Sequence, residues 1–109
     1  MDRALLEIWV RKMIKEKLLP FDIQNYLEDE RDSLLYLQAC FMEDTGDGKL
    51  IKKALGDIAR ARGISQLAKK AGMTRAGLYK ALSDEGDPKL STFLHILKAL
   101  DINIKPASV

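Results

Sequence analysis

The chain has 109 residues, which is enough for one domain with a modest hydrophobic core and too few for two. Its net charge of +2 does not by itself indicate a nucleic-acid partner. Its single cysteine, Cys40, excludes an internal disulfide framework and is expected to be buried in the apolar run LLYLQACFM. Charges interrupt the opening residues too often for a signal peptide or a membrane span, so we expect a cytoplasmic protein with no membrane partner.

The first predicted element is an amphipathic helix from about Arg3 to Leu18. It ends at Leu19-Pro20, because the residue before a proline disfavours helical backbone. We interpret residues 1–20 as a helical extension and residues 21–109 as a single helical domain. The apolar stripe of this helix is formed by Leu5, Ile8, Trp9 and Met13.

Two further helices are predicted before residue 63. A short linker (21–26) and an acidic cluster (28–32) precede a helix at about Ser33 to Glu43, whose N-terminus the negative charges favour. The loop DTGDG leads to a helix at about Leu50 to Arg62, which Gly63 terminates. The inward residues of that helix are expected to be Leu50, Ile51, Ala54, Leu55 and Ile58, while Lys52 and Lys53 are expected to point to solvent.

The most informative pattern is GISQLAKKAGMTRAGLYKAL, at residues 63–82, which reads as two short helices around a tight turn. Gly72 lies where left-handed backbone is usually needed, and Ala68 is small where the helices would cross. Thr74 is placed to cap the second helix, at about Arg75 to Leu82. The inward positions are Leu67, Ala71, Met73, Leu78 and Ala81. The pattern predicts a helix-turn-helix that presents its second helix to a DNA major groove.

The C-terminal part contains a loop, a helix and a short apolar tail. Gly86 and Pro88 break any helix in the loop SDEGDP, and a last helix is predicted at about Ser91 to Leu100. Ile102 and Ile104 alternate with polar residues, which predicts either a short strand or an extended end. The sequence therefore predicts an all-α fold of about five helices, with an extra N-terminal helix and, in one interpretation, a short C-terminal strand.

Charge is distributed unevenly along the chain. Residues 20–48 carry eight acids and one base, whereas residues 49–82 carry nine bases and one acid. The basic block coincides with the predicted helix-turn-helix, as phosphate binding would require. Two solvated faces of opposite charge would give the same pattern.

The outward residues of the predicted helix pair are the candidates for DNA contact. Arg75 could bind guanine O6 and N7 or clamp a phosphate, and Tyr79 is either a DNA contact or a half-buried core residue. Arg62 either flanks the DNA or complements the dipole at the end of its own helix. The full set of candidate DNA-binding residues is Arg62, Gln66, Lys69, Lys70, Thr74, Arg75, Ala76, Tyr79 and Lys80.

Three segments in fixed order carry a family resemblance: ALGDIARARG at residues 54–63, LYKALS at 78–83, and DPKLSTFLHILKAL after them. With these segments the chain resembles the addiction-module antidote proteins over residues 21–104. The resemblance implies a small antitoxin of a bacterial toxin–antitoxin pair, with a lambda-repressor-like DNA-binding fold. The first 19 residues are longer and more apolar than the usual start of the family, and Asp87 stands where the family commonly has asparagine.

Three functions are compatible with these patterns. They are a repressor that is also the antitoxin of a small toxin protein, a stand-alone phage-like repressor, and a helical module that binds only proteins. The helix-turn-helix favours the first two, and the resemblance favours the first. A repressor of this kind binds its double-stranded operator as a homodimer. The last helix, the segment from Ile102 to Lys105 or the N-terminal helix could supply the dimer contact, and we favour the C-terminal region.

The N-terminal helix is the candidate toxin-binding surface, because an amphipathic helix in a partner's groove is a common recognition mode. Its residues for this role are Leu5, Ile8, Trp9 and Met13. Alternatively, the helix packs on the domain or makes the dimer.

The remaining motifs do not predict catalysis. DTGDG lacks the closing glutamate of a calcium loop, and His95 is the single histidine, which excludes a zinc site of two histidines. Helix capping accounts for the acidic cluster at residues 28–32. We therefore expect no enzyme activity, no metal and no cofactor.

Overall fold

The computed structural model describes residues 3–20, 22–27 and 29–107, with Arg3 described by its backbone alone. This part of the chain is all-α, as predicted, with six helices and no strand. No helix within it is long and apolar enough to cross a membrane. The helices are α1 (Arg3–Lys15), α2 (Glu30–Glu43), α3 (Lys49–Arg62), α4 (Ile64–Lys70), α5 (Arg75–Leu82) and α6 (Leu90–Ala99), with a 3₁₀ turn at Ile23–Tyr26.

Helix α3 lies at the centre of the fold and contacts α2, α4, α5 and the 3₁₀ turn. Its apolar residues recur at helical spacing, and four of them are completely buried: Ala54, Leu55, Ile58 and Ala59. Leu50 and Ile51, which were also predicted to face inward, are half-buried at the start of the helix. A helix enclosed by neighbours on several sides positions every element that packs on it.

Helix α1 packs against α2, and its large apolar residues divide between the core and the surface. Leu6 and Val10 enter the core, whereas Leu5 and Ile8 are 59% and 63% exposed. Of the predicted apolar stripe, Leu5 and Ile8 are therefore exposed while Trp9 and Met13 are half-buried, and the side that packs on the domain lies beside the stripe. With so many apolar residues on α1, periodicity alone does not determine which face is buried.

Helix α1 also ends three residues earlier than predicted. Lys17 has left-handed backbone (φ +56°), and the Leu18 N–H donates to the Met13 carbonyl at 2.8 Å. This hydrogen bond closes the last turn in the Schellman arrangement, so the helix ends at Lys15, before Pro20 is reached.

The segment between α1 and α2 belongs to the core rather than to a linker. Ile23 is completely buried in the 3₁₀ turn, and the Tyr26 ring lies 6.0 Å from the Trp9 ring of α1. Helix α2 then begins at Glu30, three residues earlier than predicted, because the Asp29 carboxylate accepts the Asp32 N–H at 2.9 Å. Phe21 and Glu28, also placed in the predicted linker and acidic cluster, lie outside the described residues.

The DTGDG loop is a polar turn, organised by one carboxylate. Asp44 accepts the N–H groups of Gly46 at 2.8 Å, Gly48 at 3.0 Å and Leu50 at 3.1 Å. Burial would raise the pKa of Asp44, but these backbone donors outweigh it and hold the pKa below its ordinary value. The carboxylate thus supplies side-chain acceptors at the start of α3.

The loop between α5 and α6 closes against α3. A Cβ atom at Gly86 would overlap the carbonyl oxygens of Lys80 and Ala81, so only glycine fits there without a backbone shift. The Lys52 ammonium donates to the Gly86 carbonyl at 2.6 Å and to the Asp84 carbonyl at 3.2 Å. Lys52 therefore holds this loop and does not simply point to solvent as predicted.

Candidate nucleic-acid interface

Helices α4 and α5 are joined by the tight turn that the sequence predicted. Gly72 has left-handed backbone (φ +70°), its N–H donates to the Lys69 carbonyl at 3.1 Å, and the Met73 N–H donates to the Ala68 carbonyl at 2.8 Å. These two bonds form a Schellman motif, which ends α4 and turns the chain into α5. Ala68 is 2% exposed beneath the turn.

Helix α5 begins at a capping threonine. The Gly77 N–H donates to Thr74 Oγ1 at 2.9 Å, and the helix runs from Arg75 to Leu82 as predicted. Leu78 is completely buried on its inner side. Because α5 also contacts α3, its orientation is fixed by the core and its outer side is left to solvent.

The outer sides of the two helices form one surface, which we call the α4–α5 face. Leu67 and Ala68 are buried on the inner side of α4. The exposed residues of the face are Gln66, Lys69 and Lys70 on α4, Thr74 at the cap, and Arg75, Ala76, Tyr79 and Lys80 on α5. Eight of the nine candidate DNA-binding residues thus lie on these two helices with solvent access.

Arg75 links the two helices across this face. Its Nη1 donates to Ser65 Oγ of α4 at 3.2 Å, and its guanidinium carbon lies 5.7 Å from the centre of the Tyr79 ring. Tyr79 is 42% exposed, so the ring is accessible rather than buried in the core. An arginine has five N–H donors, and the Ser65 contact uses one of them, which leaves the fork able to bind an acceptor.

The basic block predicted from the sequence divides into two parts with different roles. In the α4–α5 part, Lys69, Lys70 and Lys80 are exposed. In the α3 part, Lys49 is also exposed, but the other bases bond to groups of the protein: Lys52, Lys53, Arg60 and Arg62. Lys53 Nζ lies 2.8 Å from Asp57 Oδ2, which corrects the expectation that Lys53 points to solvent. Fewer basic side chains are therefore available to a partner than the basic block of residues 49–82 contains.

Arg62 is half-buried at the end of α3, where its Nη1 donates to the Leu100 carbonyl at 2.9 Å. That carbonyl belongs to the end of α6, so the guanidinium complements the C-terminal end of a neighbouring helix. The contact connects α3 to α6. Contact between Arg62 and DNA stays a prediction.

The structure contains a buried ionic cluster that the sequence did not predict. Asp57 is completely buried, accepts the Tyr36 hydroxyl at 2.5 Å and the Lys53 ammonium at 2.8 Å, and bonds to Arg60. Burial, followed by the neighbouring carboxylate, raises the pKa of Tyr36 far above its ordinary value, so the phenol stays a hydrogen-bond donor. A possible signal was Asp57's place as the single acid of the basic block, among the inward apolar residues of α3.

The single cysteine is buried in α2, as predicted. Burial raises the pKa of the Cys40 thiol to about 12. The thiolate, which is the reactive form, is therefore disfavoured at neutral pH. His95 is exposed on α6.

Comparison with known proteins identifies the family. The model of the family described as "Probable addiction module antidote protein" matches residues 17–108 of the chain. The chain belongs to this addiction-module antidote family. A Haemophilus influenzae protein described only as uncharacterised is 46% identical over 90 residues, which cover 83% of this antidote and 91% of that protein. No solved structure matches significantly.

Family membership has two consequences for the antidote. It supports an antitoxin role and implies a toxin partner. The match begins at residue 17, so helix α1 (Arg3–Lys15) precedes the segment that the family model covers.

Proposed function

We propose that this antidote protein binds operator DNA through the α4–α5 face, represses its own operon and neutralises a small toxin protein. The observation that carries the DNA-binding part is the geometry of α5. Its inner side is held by completely buried Leu78, while Arg75, Ala76, Tyr79 and Lys80 are exposed beside two lysines of α4. This arrangement supports the proposal of a DNA-binding helix-turn-helix.

In this proposal α5 enters the major groove and α4 crosses the sugar–phosphate backbone. Arg75 and Ala76 lie at the N-terminal end of α5, the end whose residues contact base edges in such motifs. Ala76 allows close approach and contact with a thymine methyl group. Gln66, Lys69 and Lys70 then face phosphates, which position the protein but do not read sequence.

Replacing Lys69 and Lys70 with glutamine should weaken binding to all DNA sequences by a similar factor. Each lost phosphate contact removes one released counterion, so the slope of log K against log salt should become shallower by about one unit per lysine. Fluorescence anisotropy on operator and random duplexes over a salt series would measure this. Lys89→Gln, an exposed lysine at the start of α6, is the matched control. An unchanged slope in the double variant would contradict the phosphate role.

The toxin is proposed to bind the exposed side of α1, which contains Leu5 and Ile8. These side chains are 59% and 63% exposed, although they are large and apolar. The other two residues predicted for this surface, Trp9 and Met13, are half-buried, with Trp9 packed on Tyr26. Because Leu6 and Val10 already attach α1 to the domain, the exposed side is free to serve a partner without detaching the helix.

Leu5→Asp and Ile8→Asp should weaken toxin binding at least tenfold each, because a charge would have to be desolvated in an apolar contact. Both positions are exposed, so the thermal midpoint should change little. Isothermal titration with the purified toxin measures the affinity. Leu90→Asp is the control, since Leu90 is 71% exposed on a different helix. Equal toxin affinity in all three variants and the parent protein would exclude this side of α1.

The whole proposal is tested by co-purifying the protein with the products of the genes next to its own. The complex is then used in a gel shift on the upstream promoter. The proposal predicts a small partner that stalls growth when produced alone, together with a salt-sensitive shift of the promoter. A shift without any partner would leave a stand-alone repressor, and absence of both would overturn the proposal.

A further inference from the structure

The segment that follows α6 is attached to that helix by a backbone hydrogen bond at its first residues, and its remaining backbone groups have no backbone partner. Asp101 has left-handed backbone (φ +57°), and the Ile102 N–H donates to the Leu97 carbonyl at 2.9 Å. Ile102 is 7% exposed. Within the described residues, the backbone groups of Asn103 to Ala107 make no hydrogen bond to backbone elsewhere in the chain.

Open grooves lie on both sides of this segment, which we call the tail (residues 102–105). One is lined by the tail and by Leu34, Phe41 and Met42 of α2, which are 39%, 39% and 59% exposed. The other is more polar, since Lys98 and Asp101 line it together with the tail and with Leu94 of α6, which is 49% exposed. Ile104, 46% exposed, lines both grooves. The tail thus combines unpaired backbone with an apolar groove on the side of α2.

We propose that a second copy of this chain covers this surface by pairing its own tail antiparallel to the first, about a two-fold axis at Asn103. An isologous dimer requires a surface that is complementary to itself. In the proposed register Ile102 of one copy lies opposite Ile104 of the other. The alternating pattern Ile-Asn-Ile-Lys then forms a strand only in the dimer, which explains why the sequence has strand character there while the described part of the single chain has no strand.

Charge complementarity selects this register. About this axis Lys105 of each copy comes near Asp101 of the other, the left-handed residue that directly precedes the paired segment, which gives two pairs of opposite charges. Both residues are exposed in the single chain. Opposite charges across an antiparallel pair are stabilising and like charges are not. Moving the axis by one residue would remove both pairs.

The exposed apolar area comes close to what a dimer needs. From their exposed fractions, the five apolar side chains beside and on the tail offer about 450 Å² per copy, and the tail backbone adds to this. Two copies then approach the roughly 1,000–1,200 Å² at which specific interfaces begin.

The tail is connected to the α4–α5 face through short contacts. Helix α6 packs on α4, and Arg62 of α3 donates to the carbonyl of Leu100, two residues before the tail. A dimer through the tail would therefore fix the spacing of the two α5 helices. This consequence rests on the proposed function, whereas the dimer itself is tested without DNA.

Cross-linking at the axis tests the register. Facing Cα atoms of an antiparallel pair lie about 4.5–5.5 Å apart, which suits a disulfide. Full-length Asn103→Cys should become a covalent dimer in mild oxidant on a non-reducing gel. Asn25→Cys, equally exposed in the 3₁₀ turn, should stay monomeric on the gel. The native Cys40 is completely buried and does not compete.

Two further variants test the interface itself, by sedimentation without DNA. Ile104→Asp should convert the protein to a monomer, whereas Leu90→Asp should not. Lys105→Glu should raise the dimer dissociation constant about tenfold, with recovery at high salt, and Lys89→Glu should leave it unchanged. A protein that is monomeric at micromolar concentration, or a dimer in which Asn103→Cys does not cross-link, would overturn the proposal.

Discussion

Asp57→Ala is expected to lower the free energy of unfolding by about 3 kcal/mol. The carboxylate is completely buried and bonds to Tyr36, Lys53 and Arg60. Its removal leaves the Tyr36 hydroxyl buried without its acceptor and creates a cavity in α3. Lys53 and Arg60 are 38% and 41% exposed, so water can replace their partner, which keeps the cost at the low end for a broken buried pair. Urea unfolding followed by circular dichroism measures the change.

Two matched variants define the origin of this loss. Glu85→Ala removes an exposed carboxylate from a loop and should change stability by less than about 0.5 kcal/mol. Tyr36→Phe removes only the hydroxyl and should cost about 1–2 kcal/mol, since Asp57 keeps both cations. The double variant Tyr36→Phe/Asp57→Ala should lose less stability than the sum of the two single variants, because both remove the same Tyr36–Asp57 hydrogen bond. An Asp57→Ala protein as stable as the parent would show that the cluster contributes nothing to the fold.

Arg75→Ala is expected to reduce operator affinity by about 1–3 kcal/mol and to relax the base preference at one position. The reason is the place of Arg75 at the first turn of α5, with its guanidinium oriented by Ser65 and the Tyr79 ring. Anisotropy titration of the operator and its single-base variants measures both effects. Arg75→Lys keeps the positive charge but removes the planar guanidinium. It therefore distinguishes recognition of guanine through two hydrogen bonds from simple charge attraction.

The control for this experiment is Arg31→Ala, which removes an exposed arginine of α2 and should leave operator binding intact. Loss of affinity that is equal on operator and random DNA would reassign Arg75 to a phosphate contact. Affinity that does not change on either DNA would remove Arg75 from the interface.

The helix pair was predictable because its signals are local. Gly72 marks the left-handed turn and Thr74 the cap, and each acts through bonds to residues within five positions in the chain. The same reasoning gave the bounds of α5 correctly. The end of α1 was missed because Lys17 adopts left-handed backbone, which lysine does not signal in a sequence.

The tertiary features were not predictable from the same signals. Asp57 meets Tyr36, which lies 21 positions away in the chain, and no periodicity indicates that pairing. Likewise, Arg62 is bound by a carbonyl 38 positions away, so composition overstates the charge available to DNA. On α1, apolar residues occur on several sides, and only packing against α2 decides that Leu6 and Val10 are inside and Leu5 and Ile8 outside.

The most direct test of the DNA-binding account is an anisotropy titration of the protein's own upstream promoter with the parent chain and with a triple variant, Lys69→Gln, Lys70→Gln and Arg75→Ala. All three side chains are exposed, so urea unfolding should show that the variant is as stable as the parent. The account predicts salt-sensitive binding by the parent and a loss of about a hundredfold or more in the variant. Binding of the folded variant with the parent's affinity would show that the α4–α5 face does not bind DNA.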